Sequence, residues 1–293
     1  MGWRFICRVR CYKFGVHDLK VRRGGSGKHG VLDGASGEFV IVKVGGTADI
    51  ASGRLAADIR DLVKDGIRVV IAHGGGDELT NWRKSRRRRT VWHEGLRVTD
   101  DQTRDDAVLV FRGIVAPAIV GVLQRAGVSA VGLSGPDGGL VRVRRASPAL
   151  GWVGRVRSIN TRILEDLTAA GHVPVVSPLG VDGNGQIYNV NGDDIAAAIA
   201  LATQARALIF LTDVDGVRNK DGQVVGDLDP LTARAMVRSG VVSGGMVPKL
   251  RAALGLLSEV RFVCIVNGTR PHALRRAMSS DGYGTRMSDR VPL

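Results

Sequence analysis

Two lysines more than two hundred residues apart, each beside glycines, are the side chains best placed to do chemistry. Lys43 lies in Val42-Lys43-Val44-Gly45-Gly46, and Lys249 closes Ser243-Gly244-Gly245-Met246-Val247-Pro248-Lys249. A third glycine cluster, His73-Gly74-Gly75-Gly76, follows an apolar run. Glycine lets backbone N–H groups come close to an anion, and an ammonium group supplies a point charge for a phosphate in transfer. The pattern suits phosphoryl transfer.

From Glu38 onward the elements that must position these residues alternate as strand, glycine turn and helix. Phe39-Val40-Ile41-Val42 reads as a strand. Arg54 to Asp65 has helical spacing at Leu55, Ile59, Leu62 and Val63, and Val69-Val70-Ile71-Ala72 is the next strand. The rhythm continues through helices Thr103 to Ala126, Thr161 to Ala170, Asp194 to Thr203 and Lys249 to Ser258. The strands between them are Ala130 to Leu133, Val173 to Val176, Leu208 to Leu211 and Phe262 to Val266. Such alternation predicts an α/β fold with a mainly parallel sheet covered by helices on both faces. Ligands then gather at the carboxyl ends of the strands, where Lys43 with Gly45-Gly46, Gly74-Gly75-Gly76 and Thr212-Asp213-Val214-Asp215-Gly216 stand. One glycine turn usually only reverses the chain, but three on one edge point to a ligand site. A lone strand-end lysine is ordinarily a solvated charge, and His73 reads as a turn or packing residue. Asp100 and Asp194 read as charges at helix starts.

Composition excludes several classes. The 293 residues are 44% apolar and 24% charged, enough for one large core or two lobes. No uninterrupted apolar run approaches the roughly 18 residues of a membrane span. Cys7, Cys11 and Cys264 form neither a disulfide framework nor a zinc pattern, and a reducing, cytoplasmic setting fits best. An excess of 42 Lys+Arg over 28 Asp+Glu gives a formal charge of +14 and implies anionic partners. With 4% aromatics that do not alternate with the basic residues, a single-strand nucleic-acid platform is not indicated. Residues 1–38 form a basic N-terminal arm. Gly27-Lys28-His29 within it lacks the spacing and hydroxyl of a Walker A loop, and the arm reads as poorly ordered or as the product of a misplaced start, with a targeting peptide less well supported.

Seven segments, in this order, carry a resemblance: Lys43-Val44-Gly45-Gly46, His73-Gly74-Gly75-Gly76, Gly95-Leu96-Arg97-Val98-Thr99-Asp100, Leu133-Ser134-Gly135-Pro136-Asp137-Gly138, Tyr188-Asn189-Val190-Asn191-Gly192-Asp193, Leu211-Thr212-Asp213-Val214-Asp215-Gly216 and Ser243 to Lys249. From about Phe39 to Met287 the chain resembles the amino acid kinase family, and within it the branch that phosphorylates N-acetyl-L-glutamate in arginine biosynthesis. The resemblance implies a three-layer sandwich of two lobes. Residues 39–201 would bind the acceptor and residues 202–293 the nucleotide. It further implies a phosphotransferase with a carboxyl acceptor, using ATP with Mg²⁺ and no metal ligands from the protein. A carboxylate nucleophile is already ionised at neutral pH, so the lack of a general-base constellation is no obstacle.

By resemblance, Lys43 and Lys249 would approach the transferring phosphoryl group, with Asp193 orienting both. Gly74, Gly75, Arg97 and Asn189 or Asn191 would bind the acceptor, and Gly45, Gly46, Thr212, Asp213, Gly244 and Gly245 the nucleotide. Arginine suits a substrate carboxylate because its planar fork bonds both oxygens. A homodimer is also implied, while the arm lacks the amphipathic helix that accompanies arginine feedback and hexamers in the family.

Three departures keep other readings open. Thr47-Ala48-Asp49 and Asn191-Gly192-Asp193-Asp194-Ile195 differ from the usual pattern, the latter resembling sister kinases whose aminoadipate or glutamate is held on an acidic carrier protein. Lys84-Ser85-Arg86-Arg87-Arg88-Arg89 lies where the family has a lid over the acceptor. Such a run is ordinarily a solvated surface, but there it could steer an acidic carrier. A non-catalytic, nucleic-acid-binding member is the remaining alternative. Gly95 to Asp100 and Asn267 to Leu274 favour the free acetylated acceptor.

Overall fold

A computed structural model describes residues 38–46, 53–93, 95–279 and 282–288; the basic arm before Glu38 and Thr47-Ala48-Asp49 lie outside them. In chain order the elements are β1 (Phe39–Val44), α1 (Arg54–Lys64), β2 (Arg68–His73), α2 (Gly76–Ser85), β3 (Trp92–His93), β4 (Leu96–Arg97) and α3 (Asp101–Val110). Then come a π-helical turn (Phe111–Val115), α4 (Ala116–Arg125), β5 (Ala130–Leu133), β6 (Val141–Arg145), β7 (Gly154–Ile159), α5 (Arg162–Ala169), β8 (Val173–Val176), β9 (Leu179–Val181) and β10 (Ile187–Asn189). The rest are α6 (Gly192–Ala202), β11 (Ala207–Thr212), α7 (Pro230–Arg238), α8 (Met246–Leu254), β12 (Phe262–Asn267), α9 (Ala273–Met278) and β13 (Thr285–Met287).

Seven strands form one continuous sheet in the order β13-β12-β11-β1-β2-β8-β5, parallel except at the β13 edge. The chain's first strand lies at its centre. It has β2 on one side and β11 on the other, a reversal of strand order that opens a crevice at the carboxyl ends. Strand alternation sends Val40, Val42 and Val44 to one face, where α1, α3, α4 and α9 cover them, and Phe39 and Ile41 to the other, where α6 lies. Lys43 falls on the face of Ile41, the side from which α6 approaches. Helix α6 buries Ala196, Ala197, Ala198 and Ala200, and these small side chains hold it close to the sheet.

The parallel sheet and its helices on both faces agree with the sequence. A second, four-stranded sheet, β10-β9-β6-β7, goes beyond it. The predicted helix Thr103 to Ala126 begins at Asp101 and ends at Arg125, with Asp100 accepting from the Thr103 amide at its start and the π turn at its middle. Among the described residues this is the one helix long and apolar enough to cross a membrane. Arg104 and Arg112 interrupt its apolar run, and Ala107, Val110, Phe111, Val115, Ile119 and Leu123 are buried in the core. The predicted helix Lys249 to Ser258 is α8, which begins at Met246 and ends at Leu254, so Lys249 stands one turn inside it.

Candidate active site

The carboxyl ends of β1 and β2 meet backbone to backbone. The Gly74 amide donates to the Val44 carbonyl at 2.9 Å, and a Cβ on Gly74 would lie 2.2 Å from the Gly45 carbonyl oxygen. Only glycine permits that approach. At Gly75, φ is 120°, and a Cβ there would strike the Phe111 ring of the π turn. Gly46 lies under the Glu78 carboxylate, 2.3 Å from where its Cβ would be.

His73 ends β2 fully buried. Its Nδ1 is 2.7 Å from the Gly74 carbonyl oxygen and its Nε2 is 2.9 Å from Ser177 Oγ. A carbonyl only accepts, so Nδ1 carries the proton and the serine hydroxyl donates to Nε2. Burial lowers the imidazole from 6.5 to about 4, with the Gly74 carbonyl opposing, so it is neutral at physiological pH. His73 is a packing residue that fixes the glycine turn, as the sequence suggested.

Helix α6 starts against this turn. The Asn191 side-chain oxygen caps it, accepting from the amides of Asp193 at 2.8 Å and Asp194 at 3.2 Å. A Cβ on Gly192 would be 3.1 Å from the His73 carbonyl oxygen and 3.6 Å from Lys43 Cε. Asp193 follows, buried, with Oδ1 at 3.0 Å from Lys43 Nζ and Oδ2 at 3.4 Å from Lys249 Nζ. Lys249 also donates to the Gly245 carbonyl at 3.3 Å. Residues from β1, α6 and α8 thus converge as two ammonium groups and one carboxylate, a local charge of +1 beside two glycine turns. Helices α2, α6 and α8 begin at Gly76, Gly192 and Met246, next to three of the predicted glycine positions, and helix N-termini favour anions.

Arg97, on β4, is buried. It donates from Nη2 to the Gly76 carbonyl at 3.0 Å and Thr80 Oγ1 at 2.8 Å, and from Nη1 to Thr90 Oγ1 at 3.3 Å. Its guanidinium lies 4.6 Å from the Trp92 ring centroid, and among the described residues no carboxylate forms an ion pair with it. Burial, reinforced by Arg83, lowers it from 12.5 to about 10, with Asp77 opposing; it remains a cation at neutral pH. The Asn189 amide donates to Thr99 Oγ1 at 3.1 Å, and Thr99 in turn donates to the Arg97 carbonyl at 3.0 Å. On the other flank Thr212 ends β11 beside β1 and donates to Asp213 at 3.1 Å. Gly244, with φ 57°, and Gly245 lead into α8.

The structure therefore gathers Lys43, Lys249, Asp193, Gly45, Gly74 and Gly75 into one centre, with Arg97 and Asn189 joined through Gly76 and Thr99. It gives Asn191 a capping role through its side-chain oxygen. Asp194, named in the sequence as a helix-start charge, sits in the first turn of α6, where burial raises it to about 6, Asp193 adding and Arg155 opposing. Half of the arginine run is already engaged: Arg86 lies 3.3 Å over the Trp82 ring and Arg88 pairs with Asp106. Asp106 escaped sequence reasoning because an aspartate inside an apolar helix carries no motif. Its helical spacing among Ala107, Val110 and Phe111, on the buried face, was the available signal.

Known proteins resemble this chain over most of its length. The model of the amino acid kinase family matches residues 38–267. The acetylglutamate kinase of Rubrobacter xylanophilus is 46% identical over 84% of this chain and 95% of its own length, and that of Nostoc sp. (strain PCC 7120) is 41% identical over 85% and 87%. Among solved structures, smu.665 from Streptococcus mutans superposes with a TM-score of 0.77 at 26% identity, covering 86% of this chain and 99% of the other. Carbamate kinase from Giardia lamblia, at 15% identity and a TM-score of 0.63 over 87% and 100%, shares the fold. On the family match and these identities, the chain belongs to the amino acid kinase family.

Proposed function

We propose that the protein is an acetylglutamate kinase, transferring the γ-phosphoryl group of MgATP to the side-chain carboxylate of N-acetyl-L-glutamate. A carboxylate oxygen forms a bond to γ-phosphorus, the bond from γ-phosphorus to the bridging oxygen breaks, and ADP leaves; N-acetylglutamyl 5-phosphate is the product. No proton is removed from the nucleophile, which agrees with a neutral, buried His73. The difficulty is charge, since a carboxylate must approach a polyanion.

The observation that carries the reading is the Asp193 carboxylate held between Lys43 and Lys249 at 3.0 and 3.4 Å. Asp193 orients both ammonium groups, Lys43 and Lys249 neutralise the transferring group from its two sides, and the residual positive charge favours the transition state. Amides at Gly45, Gly46, Gly74 and Gly75 supply further donors. Arg97 binds the acceptor's carboxylate outside the reacting group, with Asn189 beside it, while Asn191 contributes by holding the start of α6. Thr212, Asp213, Gly244 and Gly245 line the nucleotide side. Residues 39–201 form the acceptor lobe and residues 202–293 the nucleotide lobe, joined through the pairing of β1 with β11. The protein acts as a homodimer; Leu109 and Ile114, apolar and 57% and 42% exposed on the long helix, support a face for a second copy. Neither the engaged arginines nor the named relatives support the carrier-bound or nucleic-acid alternatives.

The test is ADP release with MgATP and free N-acetyl-L-glutamate, the acyl phosphate being trapped with hydroxylamine. Turnover that Lys43→Ala and Lys249→Ala both abolish is the expected result. Full activity in either variant, or none in the unaltered protein, overturns it.

A further inference from the structure

Below the Arg97 hairpin lies a buried charge cluster with no part in the transfer itself. Asp106, on α3, and Arg83, at the end of α2, have side chains 2% and 3% exposed, and Arg83 Nη1 donates to Asp106 Oδ2 at 2.6 Å. Arg88 donates to Oδ1 of the same carboxylate, and Trp82 Nε1 lies 3.3 Å from it. Asp106 thus collects three donors from residues 82–88, while Arg83 Nε is buried with no hydrogen-bond partner. Among the described residues Asp106 is the one carboxylate that forms an ion pair with Arg83.

This cluster reaches Arg97 in two covalently short steps. Arg83 Nη2 donates to the Arg89 carbonyl at 2.6 Å, and the next residue, Thr90, accepts from Arg97 Nη1. Arg83 also places a positive charge near Arg97, which Asp77 opposes. We propose that Asp106 is a positioning residue for the acceptor: by holding Arg83 and Arg88 it fixes residues 86–90, and with them the hairpin that aims the Arg97 fork. The inference rests on Arg97 as the acceptor-binding arginine.

Asp106→Asn keeps the shape and removes the charge. The expected result is a KM for N-acetyl-L-glutamate about ten-fold higher, with kcat within about three-fold and KM for MgATP unchanged. In an Arg97→Ala background the same change has no further effect on that KM, because the residue through which it acts is gone. An unchanged KM, or an equal effect in both backgrounds, overturns the proposal. Should Asp106→Asn fail to fold, Arg88→Gln leaves the Arg83 pair intact and gives a smaller rise of about three-fold with the same loss in the Arg97→Ala background. Amide exchange in peptides covering Thr90 to Arg97 reads the inference without any acceptor. Exchange about ten-fold faster in the variant, with β11 and β12 unchanged, is expected, and equal exchange overturns it. Absence of turnover in the unaltered protein, by contrast, counts only against the acetylglutamate reading.

Discussion

Two aspartates in this molecule each stand between two cations, and they do opposite things. Asp193 meets Lys43 and Lys249 at 3.0 and 3.4 Å, at the open ends of strands lined with glycine. Asp106 meets Arg83 at 2.6 Å, together with Arg88 and Trp82, between two helices. Lysine is a compact charge that can release one partner for another and loses its proton readily when its counter-ion goes. Arginine keeps its charge under all ordinary conditions and binds through a fixed fork. In the function proposed, the first arrangement passes its cations to a phosphoryl group, while the second acts as a rivet. Charge pattern alone does not separate them, but the type of cation and the backbone around it do.

Neutralising each aspartate in turn separates the two most strongly. Asp193→Asn is expected to lower kcat by about 10²- to 10³-fold, the range for losing one preorganised electrostatic element, with a stability loss of only about 1–2 kcal/mol. Asp106→Asn strands Arg83 in the interior and costs about 3–5 kcal/mol of unfolding free energy, with kcat nearly retained in the folded fraction. Urea titrations and saturating kinetics on both variants check this. Equal stability losses in the two would dissolve the distinction between centre and rivet.

Much of this was legible beforehand, and for a physical reason. A parallel sheet requires buried strands with glycine turns at one edge, and both leave a continuous trace, so Lys43, Gly74, Gly75 and the strands β1, β2, β8, β11 and β12 could be read directly. Asp193 came from the order of motifs; spacing could not reveal that α6 would bring it between two lysines so distant in sequence. The second sheet was missed because Arg142, Arg144, Arg155 and Arg157 alternate with small and apolar residues in strands only 5 and 6 residues long, a pattern that also fits solvated loops. Helix α7 did leave a signal: Asp229 caps it by accepting from the Leu231 and Thr232 amides, and Pro230 occupies its first position.

A smaller effect should appear on titration. His73 is lowered to about 4 in the folded protein, so between about pH 6.5 and 4 the unfolded chain takes up its proton first and acidification destabilises the fold. Asp194 is raised to about 6 from 3.8, so across that interval the folded protein holds the extra proton and acidification stabilises it. Between about pH 6 and 4 the two contributions oppose each other, each at most about 1.4 kcal/mol per pH unit. Asp194→Asn removes one of them, and the variant should lose stability more steeply than the parent as pH falls from 6 to 4. Parallel stability curves for the two proteins would show that the Asp194 carboxyl titrates normally in the folded state.

The least effect is expected within the arginine run itself. Arg87 is exposed and holds φ 56°, a left-handed conformation that costs a residue with a Cβ about 1 kcal/mol and glycine almost nothing. Arg87→Gly removes that strain and one solvated charge, while the greater freedom of glycine in the unfolded chain offsets part of the gain, leaving stability within about 1 kcal/mol of the parent. Kinetics with the free acceptor should be unaltered, because Arg83 and Arg88 face Asp106 and Arg86 is stacked on Trp82, whereas Arg87 has no such engagement. A several-fold loss of kcat/KM for the acceptor, relieved as salt is raised, would assign the run to electrostatic capture of an anion. The boundary between rivet and substrate site would then have to be redrawn to include it.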